Sequence, residues 1–182
     1  MKQSSSNDIR QNEKQDVVFP VQRAVETTVT PELEHLLQAA AQGDPDAEFQ
    51  LAEYYYKSYE EGDGGEKALA EAVKWYQKAA GKGSARAQFE LGWCYLEGRG
   101  VEEDPEKAVG WFRIAAEQGN PEAQYWLGWC CQYGKGVGED VEEAVKWFRA
   151  AARQGYEDAI DDLRGLDCDV TEYGKTTMLV DR

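Results

Sequence analysis

Apolar positions in this chain recur on a helical period, and that whole pattern then recurs at a longer interval. Ala87 and Leu91 stand one turn apart, as do Ala123 and Leu127, and each pair is followed by an apolar stripe, Ala108-Val109, Phe112, Ala115-Ala116 and its counterpart further on. The segments AQFELGWCYLEGRGVEEDPEKAVGWFRIAAEQG (87–119) and AQYWLGWCCQYGKGVGEDVEEAVKWFRAAARQG (123–155) match nearly end to end. Trp75, Trp111 and Trp147 fall at a constant interval of 36 residues, as do Ala87, Ala123 and Ala159. An earlier unit, AEFQLAEYYY then EAVKWYQKAAGKG, fits once four extra residues around Gly62-Asp63-Gly64-Gly65 are allowed, and EDAIDDLRG is half a unit. A period of this length marks a repeat array, which governs how everything else is read.

Each unit predicts two helices. Thr30-Pro31, Asp44-Pro45, Asp104-Pro105 and Asn120-Pro121 each set a capping side chain before a proline, whose missing N–H costs nothing at the first helical position; Ser84 caps without one. Gly43, Gly83, Gly119 and Gly155 close helices with a left-handed residue. The expected helices are 31–41, 44–59, 66–80, 84–97, 105–118, 120–133, 141–154 and 156–164. One helix pair cannot bury its own apolar face, whereas stacked neighbours bury a continuous core. Gly92 and Gly128, beside leucines, are placed to let two helices approach closely. The pairs Trp75-Tyr76, Trp111-Phe112 and Trp147-Phe148 are expected in that core, at about 2–3 kcal/mol per buried ring.

The pattern A-x-x-x-L-G-x-x-Y-x-x-G-x-G-V followed by K-A-V-x-W-F-x-x-A-A resembles the Sel1-like repeat, a relative of the tetratricopeptide repeat. Ala87, Leu91, Gly92, Tyr95, Gly98, Gly100, Val101, Lys107, Ala108, Val109, Trp111, Phe112, Ala115 and Ala116 carry it, and the third unit repeats most of them from Ala123 to Ala152. The first unit departs at Ala52 and in its longer loop. The resemblance implies an all-α, right-handed α-solenoid that acts as a scaffold for protein partners. The resemblance covers 43–164, and the expected organisation is a disordered polar tail over 1–29, a capping helix over 30–42, repeats over 43–82, 83–118 and 119–154, a half-repeat over 155–165 and a tail over 166–182. Some Sel1-like proteins are cysteine-rich, bridging the two helices of a unit, and penicillin-binding activity is associated with them. Here the partner places hold Ala115-Ala116 and Ala151-Ala152, a departure from that pattern. A hydrolase of that kind, or an immunity or regulatory protein masking one partner, stands as the alternative to an adaptor.

Charge narrows the partners. The chain carries 35 acids against 20 bases, for a formal charge of −15. That field opposes phosphate backbones and anionic membrane surfaces and attracts basic partners. No secretory h-region and no spanning apolar run is evident, so a cytoplasmic location with reduced thiols is expected. Cys94 and Cys130, at equivalent places on neighbouring units, are expected about 8–10 Å apart, too far for a disulfide. Cys94, Cys130, Cys131 and Cys168 lack the spacing of a zinc site, so neither metal nor cofactor is expected. GRGV and GKGV lack the order of a phosphate loop and read as turns between helices. EGDGGE (61–66) misses the calcium-loop pattern. One histidine, His35, and no nucleophile motif leave catalysis without a foundation, so no catalytic residue is assigned.

The first helix of each unit offers a second stripe, roughly opposite the core. In the third unit it is Tyr125, Trp129, Gln132 and Tyr133; in the second Phe89, Trp93 and Leu96; in the first Phe49, Glu53 and Tyr56. In tetratricopeptide-type stacks the first helices line the concave side, so the resemblance places these residues in a groove. With Asp46, Glu53, Glu97, Glu122, Asp158 and Asp161 as acidic flanks, and Arg86 interrupting them, the groove is expected to take a basic or amphipathic peptide or protein segment. VVFPV (17–21) either docks on a partner or folds back into the groove, and Met178-Leu179-Val180 either covers the end of the stack or stays free.

Overall fold

The computed structural model describes residues 31–166 and Cys168. The tail with VVFPV, the Thr30 cap and Met178-Leu179-Val180 lie outside the described residues. Eight α-helices follow in order: α1 Pro31–Ala41, α2 Pro45–Glu60, α3 Gly65–Gly81, α4 Ala85–Glu97, α5 Pro105–Glu117, α6 Pro121–Tyr133, α7 Val141–Ala152 and α8 Glu157–Gly165. Among the described residues there is no strand. Every helix packs on the next, most extensively within α2–α3, α4–α5 and α6–α7. This is the all-α repeat stack that the periodicity predicts.

The caps explain the starts. Ser84 accepts from Ala87 N–H, Asp104 from Lys107 N–H at 3.0 Å and Asn120 from Ala123 N–H at 2.7 Å. Asp140, not foreseen as a cap, does the same for Glu143 N–H at 2.9 Å. The glycine positions explain the approach within a pair. A Cβ on Gly92 would lie 2.7 Å from the ring of Phe112, and one on Gly128 2.8 Å from that of Phe148. The missing side chain is thus the seat of the aromatic ring.

The Trp-aromatic pairs divide differently from the expectation. Tyr76, Phe112 and Phe148 are fully buried, while Trp75, Trp111 and Trp147 are only half-buried and pack against the edge of the core. Consecutive helical residues point about 100° apart, so only one of the two faces the glycine or alanine across the pair.

Neighbouring units are tied by a repeated polar contact. Gln88 donates to the carbonyl of Ala80 at 3.1 Å and accepts from Gln118 at 2.6 Å. Gln124 repeats this with Ala116 at 3.1 Å and Gln154 at 2.8 Å. The first unit puts a charged pair in the same register: Lys82 donates to buried Glu48 at 2.8 Å and to the Gly43 carbonyl at 2.9 Å. The second oxygen of Glu48 has no partner there.

Candidate partner-binding surface

Burial of Ala47 and Leu51, Ala87 and Leu91, and Ala123 and Leu127 fixes which side of α2, α4 and α6 turns inward. The rest of each first helix then faces its neighbours in the next units or solvent. Between α4 and α6 the result is a connected set of rings. Trp93 packs on Trp126 with centroids 4.5 Å apart, Trp126 on Trp129 at 5.6 Å, and Trp129 on Tyr133 at 5.0 Å. The three tryptophans are half-buried and Tyr133 is 60% exposed. Tyr125 leans towards α8, 5.0 Å from Tyr156, and backs onto Phe148 at 5.7 Å. Rings left partly in water on adjacent repeats form a contiguous surface of the kind that partners cover.

Trp126 is absent from the sequence-based set. It falls between the two stripes drawn on its helix, and only its position one turn before Trp129, towards the preceding unit, hinted at its role. Two expected members sit elsewhere. Phe49 is buried in the core against Tyr76, with the Arg86 guanidinium 4.5 Å above its ring, so it is not groove floor. Leu96 is likewise buried. Phe89 is half-buried, 5.8 Å from Phe112. Tyr56 accepts a hydrogen bond from Arg99 and lies beside Tyr59 and Tyr76.

The carboxylates are drawn together across repeats. Glu53 on α2, Glu90 on α4 and Glu122 on α6 lie close enough for the outer two to raise the pKa of Glu90. Burial contributes most; with these neighbours it pushes Glu90 up to about 7, against the opposing pull of Arg86. Sequence reading missed Glu90, because its company comes from two other helices. Tyr76 donates to Glu53. Burial raises the Tyr125 phenol, and Asp162 beside it adds to the rise; burial also raises Asp162, with the Tyr125 hydrogen bond acting against it. Glu97 is exposed beside Arg99 and Lys135, and Asp158 stands near Tyr125 and Tyr156. Asp161 is engaged with Arg164, and Asp46 is exposed in the first turn of α2.

All four cysteines are free. Burial pushes Cys94 and Cys130 up to about 12 and Cys131 up to about 11, so at neutral pH these three are protonated core residues, not nucleophiles. Among the described residues no group of three or more His, Cys, Asp or Glu has a metal-binding arrangement, and no helix is long and apolar enough to cross a membrane. Two open depressions are present, one at Leu36, Gln50, Glu53, Tyr54 and Tyr56, the other at Glu143, Lys146 and Trp147.

Comparison with known proteins follows the same lines. The family model described as Sel1 repeat matches residues 33–44, 45–84, 85–120 and 121–156. No curated protein gives a match. Among solved structures, a protective antigen present in uropathogenic Escherichia coli strains, displaying an SLR fold, is 39% identical with a TM-score of 0.68, over 74% of this chain and 28% of that one. The chain therefore spans little more than a quarter of that protein. A Sel1 repeat protein from Oxalobacter formigenes is 40% identical with a TM-score of 0.65, over 75% of this chain and 99% of that one. Helicobacter pylori cysteine rich protein B is 26% identical with a TM-score of 0.51, over 74% of this chain and 98% of that one.

Proposed function

This chain belongs to the Sel1 repeat family, whose members commonly serve protein–protein interaction, and from that premise we propose that it is a non-enzymatic adaptor binding a basic, amphipathic protein segment. The binding surface in this reading is the ring-and-carboxylate face of α4 and α6, flanked by α2 and α8. The observation that carries it is the half-exposed layer of Trp93, Trp126 and Trp129 set directly beside Glu90 and Glu122. Aromatic anchors supply most of the energy at interfaces, and flanking charge selects the partner and speeds its arrival. The four free thiols favour a reducing compartment, the cytoplasm.

Affinity capture from source lysate at low and high salt tests this, comparing wild type with Trp93→Ala/Trp129→Ala after circular dichroism confirms that the variant folds. The expected result is a partner lost in the variant and weakened by salt. A partner retained by both proteins at both salts moves the site off this face, and turnover of a β-lactam reporter by the purified chain overturns the non-enzymatic reading.

A further inference from the structure

The two ends of the stack differ. α1 stands where the second helix of a unit stands: it packs on the first helix that follows, and its Ala39 carbonyl accepts from the Asp44 N–H at 3.2 Å. Ala79 accepts from Ser84 and Ala115 from Asn120 in the same way, each at 3.1 Å. Three residues before these alanines stand Leu36, Tyr76 and Phe112. Tyr76 and Phe112 are fully buried against the first helix of their unit, whereas Leu36 is only half-buried, and no first helix precedes α1 among the described residues. On α2, Tyr54 holds the place of Cys94 and Cys130, which the preceding unit covers to 1% and 0% exposure, yet Tyr54 is 38% exposed. Leu36 and Tyr54 line one open depression with Gln50, Glu53, Tyr56 and Lys57. That depression is the slot which, in later units, a preceding first helix fills.

The opposite end shows how the chain closes itself. Gly92 and Gly128 each seat a ring of the second helix, and the next place in that series is Arg164, exposed and paired with Asp161. The chain just past α8 turns back instead: the Cys168 N–H donates to the Leu163 carbonyl at 2.9 Å, and Leu166 and Cys168 pack on the core. Ahead of α1, residues 1–30 contain no leucine and no glycine, so no A-x-x-x-L-G first helix is encoded there, but they do contain the apolar run VVFPV (17–21). We propose that this run lies in the slot, with Phe19 against Leu36 and Tyr54, and closes the N-terminal end as Leu166 and Cys168 close the other. Chain length permits it: nine residues (22–30) join the run to Pro31, where seven join α4 to α5 and α6 to α7. Extended, they reach roughly 30 Å, and Leu36 lies only about 8 Å along α1 from Pro31. Charge agrees as well. Asp16 and Arg23 flank the run, while Lys57, Glu53 and Glu60 line the depression. With four acids and four bases, residues 1–29 bring no net charge against an acidic body. A second copy of the chain is the poorer occupant. The first helix at its end is α8, which would bring Arg164 against Leu36 where the other units pair a small residue with a ring. This inference does not rest on the aromatic face of α4 and α6.

The test uses the full chain with benzoylphenylalanine in place of Phe19, which keeps the ring, irradiated as an equal mixture of isotope-labelled and unlabelled protein. Proteolysis and mass spectrometry then locate the link. The expected product joins position 19 to the stretch 36–57 within one chain. A link to the peptides carrying Trp93 or Trp129 puts the run in the groove, a link between labelled and unlabelled chains makes a second copy the occupant, and no link leaves the run in solvent; each of these overturns the proposal. Hydrogen exchange on Phe19→Asp gives a second readout. Amides of α1 beyond its first turn are expected to exchange about tenfold faster than in wild type, the least expected from losing one buried phenylalanine, while those of α6 and α7 stay unchanged. Equal α1 exchange in the two proteins also overturns it. Neither readout depends on partner capture, so a failure here leaves the aromatic face standing, and a failed capture leaves the slot.

Discussion

The loop Gly134-Lys135-Gly136-Val137 has the look of a phosphate-binding turn, and its three nearby glycines allow the architectural reading to be tested by one substitution made three times. Gly134 closes α6 at φ +66°, and a Cβ there would meet Glu139 and Val137 no nearer than 3.6 Å, an ordinary contact. Gly134→Ala therefore bears only the left-handed backbone strain, about 1 kcal/mol. Gly136 sits at φ +73°, and its Cβ would run into the Pro105 carbonyl, with the Glu106 nitrogen only 2.9 Å away. These are backbone atoms at the start of α5, where Asp104 caps Lys107, so no side chain can swing aside. Backbone strain plus a displaced loop brings Gly136→Ala to about 3–4 kcal/mol. At Gly138 nothing lies within 4 Å and φ is not positive, so alanine there is expected to be neutral within about 0.5 kcal/mol. Urea unfolding followed by far-ultraviolet circular dichroism, fitted with a common m-value, ranks the three. Equal losses at Gly134 and Gly136 would mean that the loop does not rest on α5, and the architectural account of the motif would fall.

Two further outcomes follow from the interior. At pH 8 only half-buried Cys168 is expected to react promptly with a disulfide reagent in the native protein, and all four thiols in urea, because burial keeps Cys94, Cys130 and Cys131 protonated; three or more fast native thiols would refute their place in the core. Lys82→Met leaves buried Glu48 without its cation and is expected to cost about 2–3 kcal/mol, below the range for fully buried pairs because Lys82 is itself partly exposed. The double change Glu48→Gln/Lys82→Gln copies the Gln88–Gln118 contact and is expected to return within about 0.5 kcal/mol of wild type, since an amide can donate where the lone Glu48 oxygen finds no partner. A double variant as unstable in urea as the single one would overturn the equivalence.

The helices were legible because their signals are local. Asp44, Ser84, Asp104 and Asn120 each cap within three residues of themselves, and the observed starts lie within one residue of those expected. The seats at Gly92 and Gly128 were legible because a helix glycine beside a buried leucine has few other uses. What escaped depends on two or three helices at once. Helical periodicity places Phe49 and Leu96 on an angle of their own helix, but the offset between adjacent units decides whether that angle is covered, and here it is. The same offset brings Glu90 between Glu53 and Glu122 and sets Trp126 on Trp93. No spacing along one helix carries that information. The tryptophans of the Trp-aromatic pairs escaped for a related reason: composition says that both rings are apolar, and only the cross-pair glycine says which one fits.

The repeats compared with one another show where selection of chemistry lies. Inward positions keep their character from unit to unit: Ala47, Ala87 and Ala123; Leu51, Leu91 and Leu127; Tyr76, Phe112 and Phe148, all buried. On the outer face the equivalent positions change class. Asp46 becomes Arg86 and then Glu122; Gln50 becomes Glu90 and then Trp126; Glu53 becomes Trp93 and then Trp129; Lys57 becomes Glu97 and then Tyr133. Stacking demands the first set, because each unit must present the same shape to the next. It demands nothing of the second set, and a stack with only folding to satisfy would gain solubility from polar residues throughout it. The change has a direction: the first unit offers polar and charged groups, and the third offers rings. A segment lying along the stack therefore meets carboxylates towards α2 and tryptophans towards α6. In the reading proposed above, that gradient would give a partner one favourable orientation on this face, with its basic part towards α2 and its apolar anchor towards α6.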